Sequence, residues 1–303
     1  MLLVTGANGF VGSAVVQLAL QKNIPVRAMV RESSDLTLLE NTPSEIQVCA
    51  DMDDPASLAR AIEGVTTVVH CAATTSSMAP DLELSRKINV EGTHALLEAC
   101  RTQGVTRIIN ISSQSAHPDN PSVYGKTKLE QDQVVRSETQ INWTILRPSI
   151  IYGPVARGIF NKMVGLCRKL PVIPVIGSGR EPMRPLHVED LAEGILQCIE
   201  SPATYGNSYD LGGADSLEFN QFLEEILQAI GQKKMLIHLP IPIALVIARV
   251  LSTFLKNPPL TPDNVTGIST VKFVDITAAH KDFGFMPRLF YDGLSKCLSP
   301  DNK

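Results

Sequence analysis

The stretch LLVTGANGFVGSAVVQLALQK, residues 2–22, decides the fold. Leu2 to Thr5 is a short apolar and β-branched run that predicts a buried strand, and Gly12 to Lys22 has the period of an amphipathic helix. Between them Gly6, Gly9 and Gly12 recur at three-residue intervals. A strand that passes directly into a helix around a ligand needs that spacing. Gly6 takes the tight turn, Gly9 lets a pyrophosphate approach the backbone, and Gly12 lets the helix pack against the strand. The free N–H groups and the positive end of the helix then attract phosphate. An adenine dinucleotide is the expected ligand.

Outward from this turn, short apolar runs alternate with helix-period segments as far as residue 150: PVRAMV, IQVCA, TTVVHCAA, RIINISS and WTILRPS. Runs such as VTTVVHCAA and RIINI do not alternate polar with apolar, as expected of strands buried on both faces. This predicts an α/β protein with a doubly wound parallel sheet, the Rossmann fold, over residues 1–154. After Gly153-Pro154 the texture changes to helices and Pro-rich connections, so 155–303 is expected to be mainly a smaller α/β substrate lobe. NSYDLGG at 207–213 is expected to return to the main sheet as a further strand.

The 303 residues include 44% hydrophobic and 19% charged residues, the profile of a chain that folds around its own core. With 27 Lys plus Arg against 31 Asp plus Glu there is no basic surplus to neutralise a nucleic acid. Six cysteines lack CxxC spacing or a nearby His pair, so no metal site and no disulfide framework is expected. No signal peptide is legible at the N-terminus, and a reducing cytoplasm is the expected location. Leu239 to Leu255 is greasy but broken by Pro240, Pro242 and Arg249. It reads as a partly buried helix after Pro242, with weak attachment to a membrane surface left open and no membrane span expected.

At the end of the second strand stands Arg31, whose guanidinium suits a ribose 2′-phosphate, so NADP is favoured over NAD. The same Arg could instead stack on adenine or face solvent beside Glu32. Asp51 and Met52, past the third strand, are placed to touch the adenine, although Asp51 could equally cap the helix that begins near Pro55. Tyr124 and Lys128 lie four residues apart and so share a helix face. A cation there is expected to lower the phenol's pKa and make it an acid–base catalyst. Ser112 and Ser113 close the strand RIINISS at the sheet's carboxyl edge, and Ser113 is chosen as the one facing a substrate carbonyl, with Ser112 as fallback. Asn89 could hold a water or a backbone carbonyl that relays protons to Lys128, or bond its own helix.

Taken in order, TGANGFVG, VVHCAA at 68–73, NVEGT at 89–93, ISS at 111–113, YGKTK at 124–128, LRPSIIYGP at 146–154 and HVEDLA at 187–192 resemble the short-chain dehydrogenase/reductase superfamily. Its extended and atypical branch, the epimerase/dehydratase-like proteins, is the nearer likeness. By that resemblance Ser113, Tyr124 and Lys128 are catalytic, with Asn89 as a fourth member. The cofactor-binding residues it implies are Gly6, Asn8, Gly9, Phe10, Val11, Gly12, Arg31, Asp51, Met52, Cys71, Ala72, Ala73, Tyr124, Lys128, Pro148 and Ile151. His70 would line the same cleft, while His187 and Asp190 would be structural. The segments around 82–103 and 122–139 would pair in a homodimer.

One departure stands beside the reaction centre. Only 11 positions separate Ser113 from Tyr124, far fewer than is usual in extended members, so one wall of the substrate pocket is trimmed. The stretch LPVIPVIGSGREPMRPLHVEDLA is similar to atypical members related to an accessory subunit of respiratory complex I. The run from LPIPIALVIARVL to DFGFMPR is similar to dihydroflavonol reductases and 3β-hydroxysteroid dehydrogenases. The expected activity is hydride transfer at a carbinol or carbonyl carbon of a small-molecule substrate. A nucleotide sugar comes first, its diphosphate gripped by Arg157, Arg180 or Arg184; a hydrophobic ketone or aldehyde is the alternative, and a non-enzymatic dinucleotide sensor is a third reading.

Overall fold

The computed structural model describes residues 1–74, 81–154, 159–255, 258, 260–262, 265 and 273–298. Seven strands form one parallel sheet: β1 (Leu2–Thr5), β2 (Val26–Val30), β3 (Gln47–Cys49), β4 (Thr67–His70), β5 (Arg107–Ile111), β6 (Asn142–Pro148) and β11 (Asn207–Leu211). Their order is β11-β6-β5-β4-β1-β2-β3. From β1 the chain winds outward to β2 and β3, and from β4 it winds the other way, so the direction reverses between β1 and β4. In open parallel sheets that reversal leaves a crevice at the carboxyl ends of the two strands.

Consecutive residues of the central strands enter opposite cores. Val4, Val69 and Ile109 pack on one side with α1 (Phe10–Gln21) and α7 (Val188–Glu200). Leu3, Val68 and Ile108 pack on the other with α2 (Pro55–Ile62) and α4 (Gly92–Thr102). Helices on both faces explain why these strands are continuously apolar. The segment 207–213 does return: β11 pairs in parallel with β6, Tyr209 opposite Leu146.

Before α4, α3 (Leu82–Arg86) runs through a π-helical turn, Lys87–Glu91, that carries Asn89. The helix α5 (Val123–Arg136) starts at Ser122, whose hydroxyl accepts from the Gly125 N–H at 3.0 Å, and it carries both Tyr124 and Lys128. Further elements are β7 (Ile151–Tyr152), α6 (Ile159–Lys169), β8 (Ile173–Ile176), β9 (Pro182–Met183), β10 (Leu186–His187), β12 (Leu217–Glu218), α8 (Phe219–Ala229), β13 (Leu236–Leu239), α9 (Ile241–Phe254) and two C-terminal helices, Thr277–Phe283 and Phe290–Cys297. Tyr152, Phe160, Phe222 and Phe290 form a separate core in this part of the chain. Among the described residues no helix is long and apolar enough to cross a membrane. The helix expected after Pro242 begins at Ile241, with the proline inside its first turn where a missing N–H costs nothing.

Candidate active site

Gly6 adopts φ +63, and a Cβ there would lie 2.8 Å from the Ala72 backbone. A Cβ on Gly12 would lie 2.3 Å from the Gly6 carbonyl oxygen, and one on Gly9 3.1 Å from the same atom. The turn is therefore closed to side chains, and it lies against the loop that leaves β4. The N-terminus of α1 follows, with no acidic residue in its first turn. At the same sheet edge Ser112 Oγ is buried without a hydrogen-bond partner among the described residues. A cradle that any Cβ would fill, a helix start free of negative charge and an orphaned hydroxyl together fit a dinucleotide pyrophosphate and its neighbouring groups.

Tyr124 is half-buried, and burial holds its phenol above the ordinary value while a hydrogen bond to the Ser113 side chain pulls it down. The expected lowering by Lys128 is not found. Lys128 is buried, and its Nζ donates to the Ile111 carbonyl at 2.7 Å and to Gln131 Oε1, so its charge is spent on other partners. Burial pulls the Lys128 ammonium down to about 8 against the opposing effect of the Asp132 carboxylate. Asp132 in turn accepts from Arg147 Nε at 2.9 Å and from Arg147 Nη2 at 2.6 Å, which ties α5 to β6.

Asn89 does not reach Lys128. Its Oδ1 accepts from the Thr74 N–H at 2.8 Å and its Nδ2 donates to Thr127 Oγ1 at 3.1 Å. It therefore holds the loop after β4 to the helix that carries Tyr124, which makes it a positioning residue. Asn89→Leu leaves the buried Thr74 N–H without its acceptor and is expected to cost about 1–3 kcal/mol. Urea denaturation checks this, and an unchanged midpoint would remove the tether.

His70 joins the two halves of the site. Its Nδ1 meets Thr5 Oγ1 at 2.7 Å and its Nε2 meets Thr93 Oγ1 at 3.0 Å. Thr93 donates to the Asn89 carbonyl and accepts from Gln131 Nε2 at 2.9 Å, so its one proton is used and His70 must donate from Nε2. Burial, with Lys128 adding to it, lowers the imidazole from 6.5 to about 3. Between those values the unfolded chain binds a proton that the folded chain refuses, so stability falls as pH drops from 6.5 towards 3. His70→Gln is expected to flatten the acid limb of the stability–pH curve, measured by thermal melts across that range.

The other anticipated residues divide. Ala72 donates its N–H to Thr5 Oγ1 at 3.3 Å, and with Cys71 it borders the glycine turn, Ala73 following in the same loop. The Cys71 thiol is pushed up to about 12 by burial. Asn8 Nδ2 bonds the Asp35 carbonyl, Val11 and Ile151 pack against one main core, and Phe10 packs towards the Tyr152 core. Pro148 ends β6, its carbonyl accepting from the Gln114 N–H. Arg31 is exposed at the end of β2. Asp51 does not cap α2: Asp54 does, accepting from the Ala56 N–H at 3.1 Å, while Asp51 binds the Asp53 N–H. Met52 packs against Gly92. His187 caps α7, and Asp190 pairs with Arg288 at 2.8 Å.

Arg184 is not free to grip a diphosphate, since its guanidinium donates to the carbonyls of Gly213, Val274 and Ala214. Arg157 lies outside the described residues. Gly125 escaped notice in the sequence although YGK displays it: a Cβ there would lie 2.6 Å from the Ser115 carbonyl, so the short Ser113–Tyr124 segment lies directly on α5. Gln131 carried no motif signal, and Thr93 closes the NVEGT motif without a role having been assigned to it. Among the described residues no group of three His, Cys, Asp or Glu could hold a metal.

A glycine turn at the crevice of a doubly wound parallel sheet defines the class as a dinucleotide-binding platform. The chain belongs to the NAD dependent epimerase/dehydratase family, whose model matches residues 2–212, and it is an enzyme of that short-chain dehydrogenase/reductase kind. It is 29% identical over 272 residues to NADH dehydrogenase (ubiquinone) 1 alpha subcomplex subunit 9 of Dictyostelium discoideum, covering 86% of this chain and 73% of that one. It is 27% identical over 261 residues to the N-acetyl-α-D-glucosaminyl-diphospho-ditrans,octacis-undecaprenol 4-epimerase of Escherichia coli, covering 80% of this chain and 76% of that one. Among solved structures, gox2253 superposes with a TM-score of 0.83 at 27% identity over 98% of this chain and 96% of that one.

Proposed function

We propose that the protein transfers hydride between a nicotinamide dinucleotide and a carbon bearing oxygen, with Tyr124 Oη exchanging the proton on that oxygen. The observation that supports this reading is that Ser113, just past β5, and Tyr124, in the first turn of α5, stand at the sheet's carboxyl edge, where the glycine turn also lies. The dinucleotide, held by Gly6, Gly9, Gly12 and the start of α1, supplies or accepts the hydride when bound. A phenol held above its ordinary value keeps its proton at neutral pH, which supports Tyr124 as the acid that protonates a carbonyl oxygen. Ser113 orients that oxygen, and Lys128 sets a positive charge beneath the site. Arg31, whose guanidinium has no acceptor among the described residues, supports NADP over NAD; Arg31→Asp is expected to reverse the preference, measured as the ratio of the two dissociation constants.

For the substrate we favour a hydrophobic ketone or alcohol. Arg184, the best-buried cation considered for a diphosphate, is committed to three carbonyls, which leaves Arg180 alone among the described candidates. The second reading, a sugar linked to a diphosphate, is favoured by the named activity of the Escherichia coli relative. Incubation with NADPH and a panel of long-chain ketones and UDP-sugars decides between them. Cofactor oxidation by ketones supports the first reading and interconversion of sugars the second, while tight cofactor binding without turnover by either removes both. Six unpaired thiols support a cytoplasmic setting.

A further inference from the structure

Acidic residues are unevenly spread along this chain. None occurs between Glu138 and Glu181 or between Glu225 and Asp263, although acids outnumber Lys plus Arg overall by 31 to 27. The two acid-free stretches fold together. The helix α6 leads into β8, β8 pairs in parallel with β13, and β13 continues through Pro240 into α9. Every formal charge on these four elements is positive.

One side of α9 is accounted for, since Ala244 and Ala248 are buried against Ile176 and Val265. The opposite side is apolar too. Ile243, Val246, Ile247, Val250 and Phe254 recur at helical spacing and are 51, 60, 38, 51 and 81% exposed. On the adjoining two-stranded sheet Met235 and Ile237 are 69 and 41% exposed, with Pro174 beside Ile237 in register. Lys234 Nζ donates to the Cys167 and Arg168 carbonyls, which brings the exposed Arg168 and Lys169 next to Lys233 at the start of β13. Among the described residues Arg168, Lys169, Lys233 and Arg249 have no carboxylate partner, whereas Lys22, Arg86, Lys87, Arg101, Arg147 and Arg288 do.

A helix that is apolar all round has a second surface to cover. A second copy of this chain, seated on the same face by two-fold symmetry, would bring these unpaired cations towards their own equivalents. An anionic lipid surface satisfies both features, accepting the apolar stripe at the acyl boundary and the cations among the headgroups. At 14 residues α9 is about 21 Å long, suited to lying in that interface. We propose that α9 and β13 dock the protein on the surface of an anionic bilayer, with Val246, Val250 and Phe254 inserted and Arg168, Lys169, Lys233 and Arg249 at the headgroups. This rests on no assumption about the reaction.

The test is co-sedimentation of the full chain with phosphatidylcholine vesicles, with and without phosphatidylglycerol, over a salt series. Binding is expected to the anionic vesicles, to weaken as salt rises and to be lost in a Val246→Glu, Val250→Glu double variant. Arg249→Gln is expected to weaken it about fivefold. Both variants change exposed side chains, so unchanged melting temperatures show that the fold is intact. Absence of binding at low salt overturns the proposal, as does equal binding by the double variant. Lipid-free self-association that the double variant abolishes would assign the face to a second copy instead, and an acidic protein that competes with the vesicles for the wild-type face alone would assign it to that protein.

Discussion

A Tyr124→Phe variant is expected to turn over about 10²–10⁴-fold more slowly while binding the dinucleotide as the wild type does. The substitution removes one oxygen from a half-buried ring and leaves its packing in place. Ser113 Oγ still accepts from the Ser115 N–H at 3.1 Å, so the trimmed segment keeps its shape. Single-turnover measurement of hydride transfer, beside cofactor titration by fluorescence, separates chemistry from binding. Undiminished turnover would take the tyrosine out of the reaction.

The second large effect belongs to Gly12→Val. A Cβ at this position meets the Gly6 carbonyl oxygen at 2.3 Å, and both groups are backbone-anchored, so strand and helix must separate. Such overpacking costs about 1–3 kcal/mol. Separation also spoils the N–H groups of the turn, so dinucleotide affinity is expected to fall below detection in calorimetry. Gly104→Ala is the matched control. Gly104 has φ +72 but nothing within 4 Å of its Cβ position, so alanine there strains the backbone by about 1–2 kcal/mol and leaves affinity unchanged. Equal affinity loss in the two variants would mean that destabilisation alone, and not the turn, governs binding.

The glycine turn and the sheet were legible in the sequence because backbone geometry restricts residue type directly. Gly6 at positive φ and strands such as Arg107–Ile111, buried throughout, admit few alternatives. Tyr124 and Lys128 were legible for the same reason, through helical spacing. Charge balance inside the site was not. The direction in which the Tyr124 phenol moves depends on how much chain surrounds it and on Lys128 turning to Ile111 and Gln131, which no local pattern encodes. The cap on α2 fell to Asp54 and not Asp51 because the helix starts at Pro55 itself, and the cap must immediately precede it. At α9 the expected partly buried helix is present, but composition does not mark which side is enclosed, because Ala244 and Ala248 are no more apolar than the residues left exposed.

The π-helical turn at Lys87–Glu91 makes chain length at this point a determinant of the site. One extra residue in a helix rotates everything before it by about 100° relative to everything after it. Here that offset lets Asn89 face Thr74 and Thr127 while Thr93, one turn on, still faces His70. Deleting a single residue from the turn would restore regular hydrogen bonding and still unmake the junction, because α3 and α4 would then be phased to a common stripe. The segment is thus protected against shortening in a way that no exchange of side chains can reproduce, and its residue count is as much a part of the active site as its asparagine.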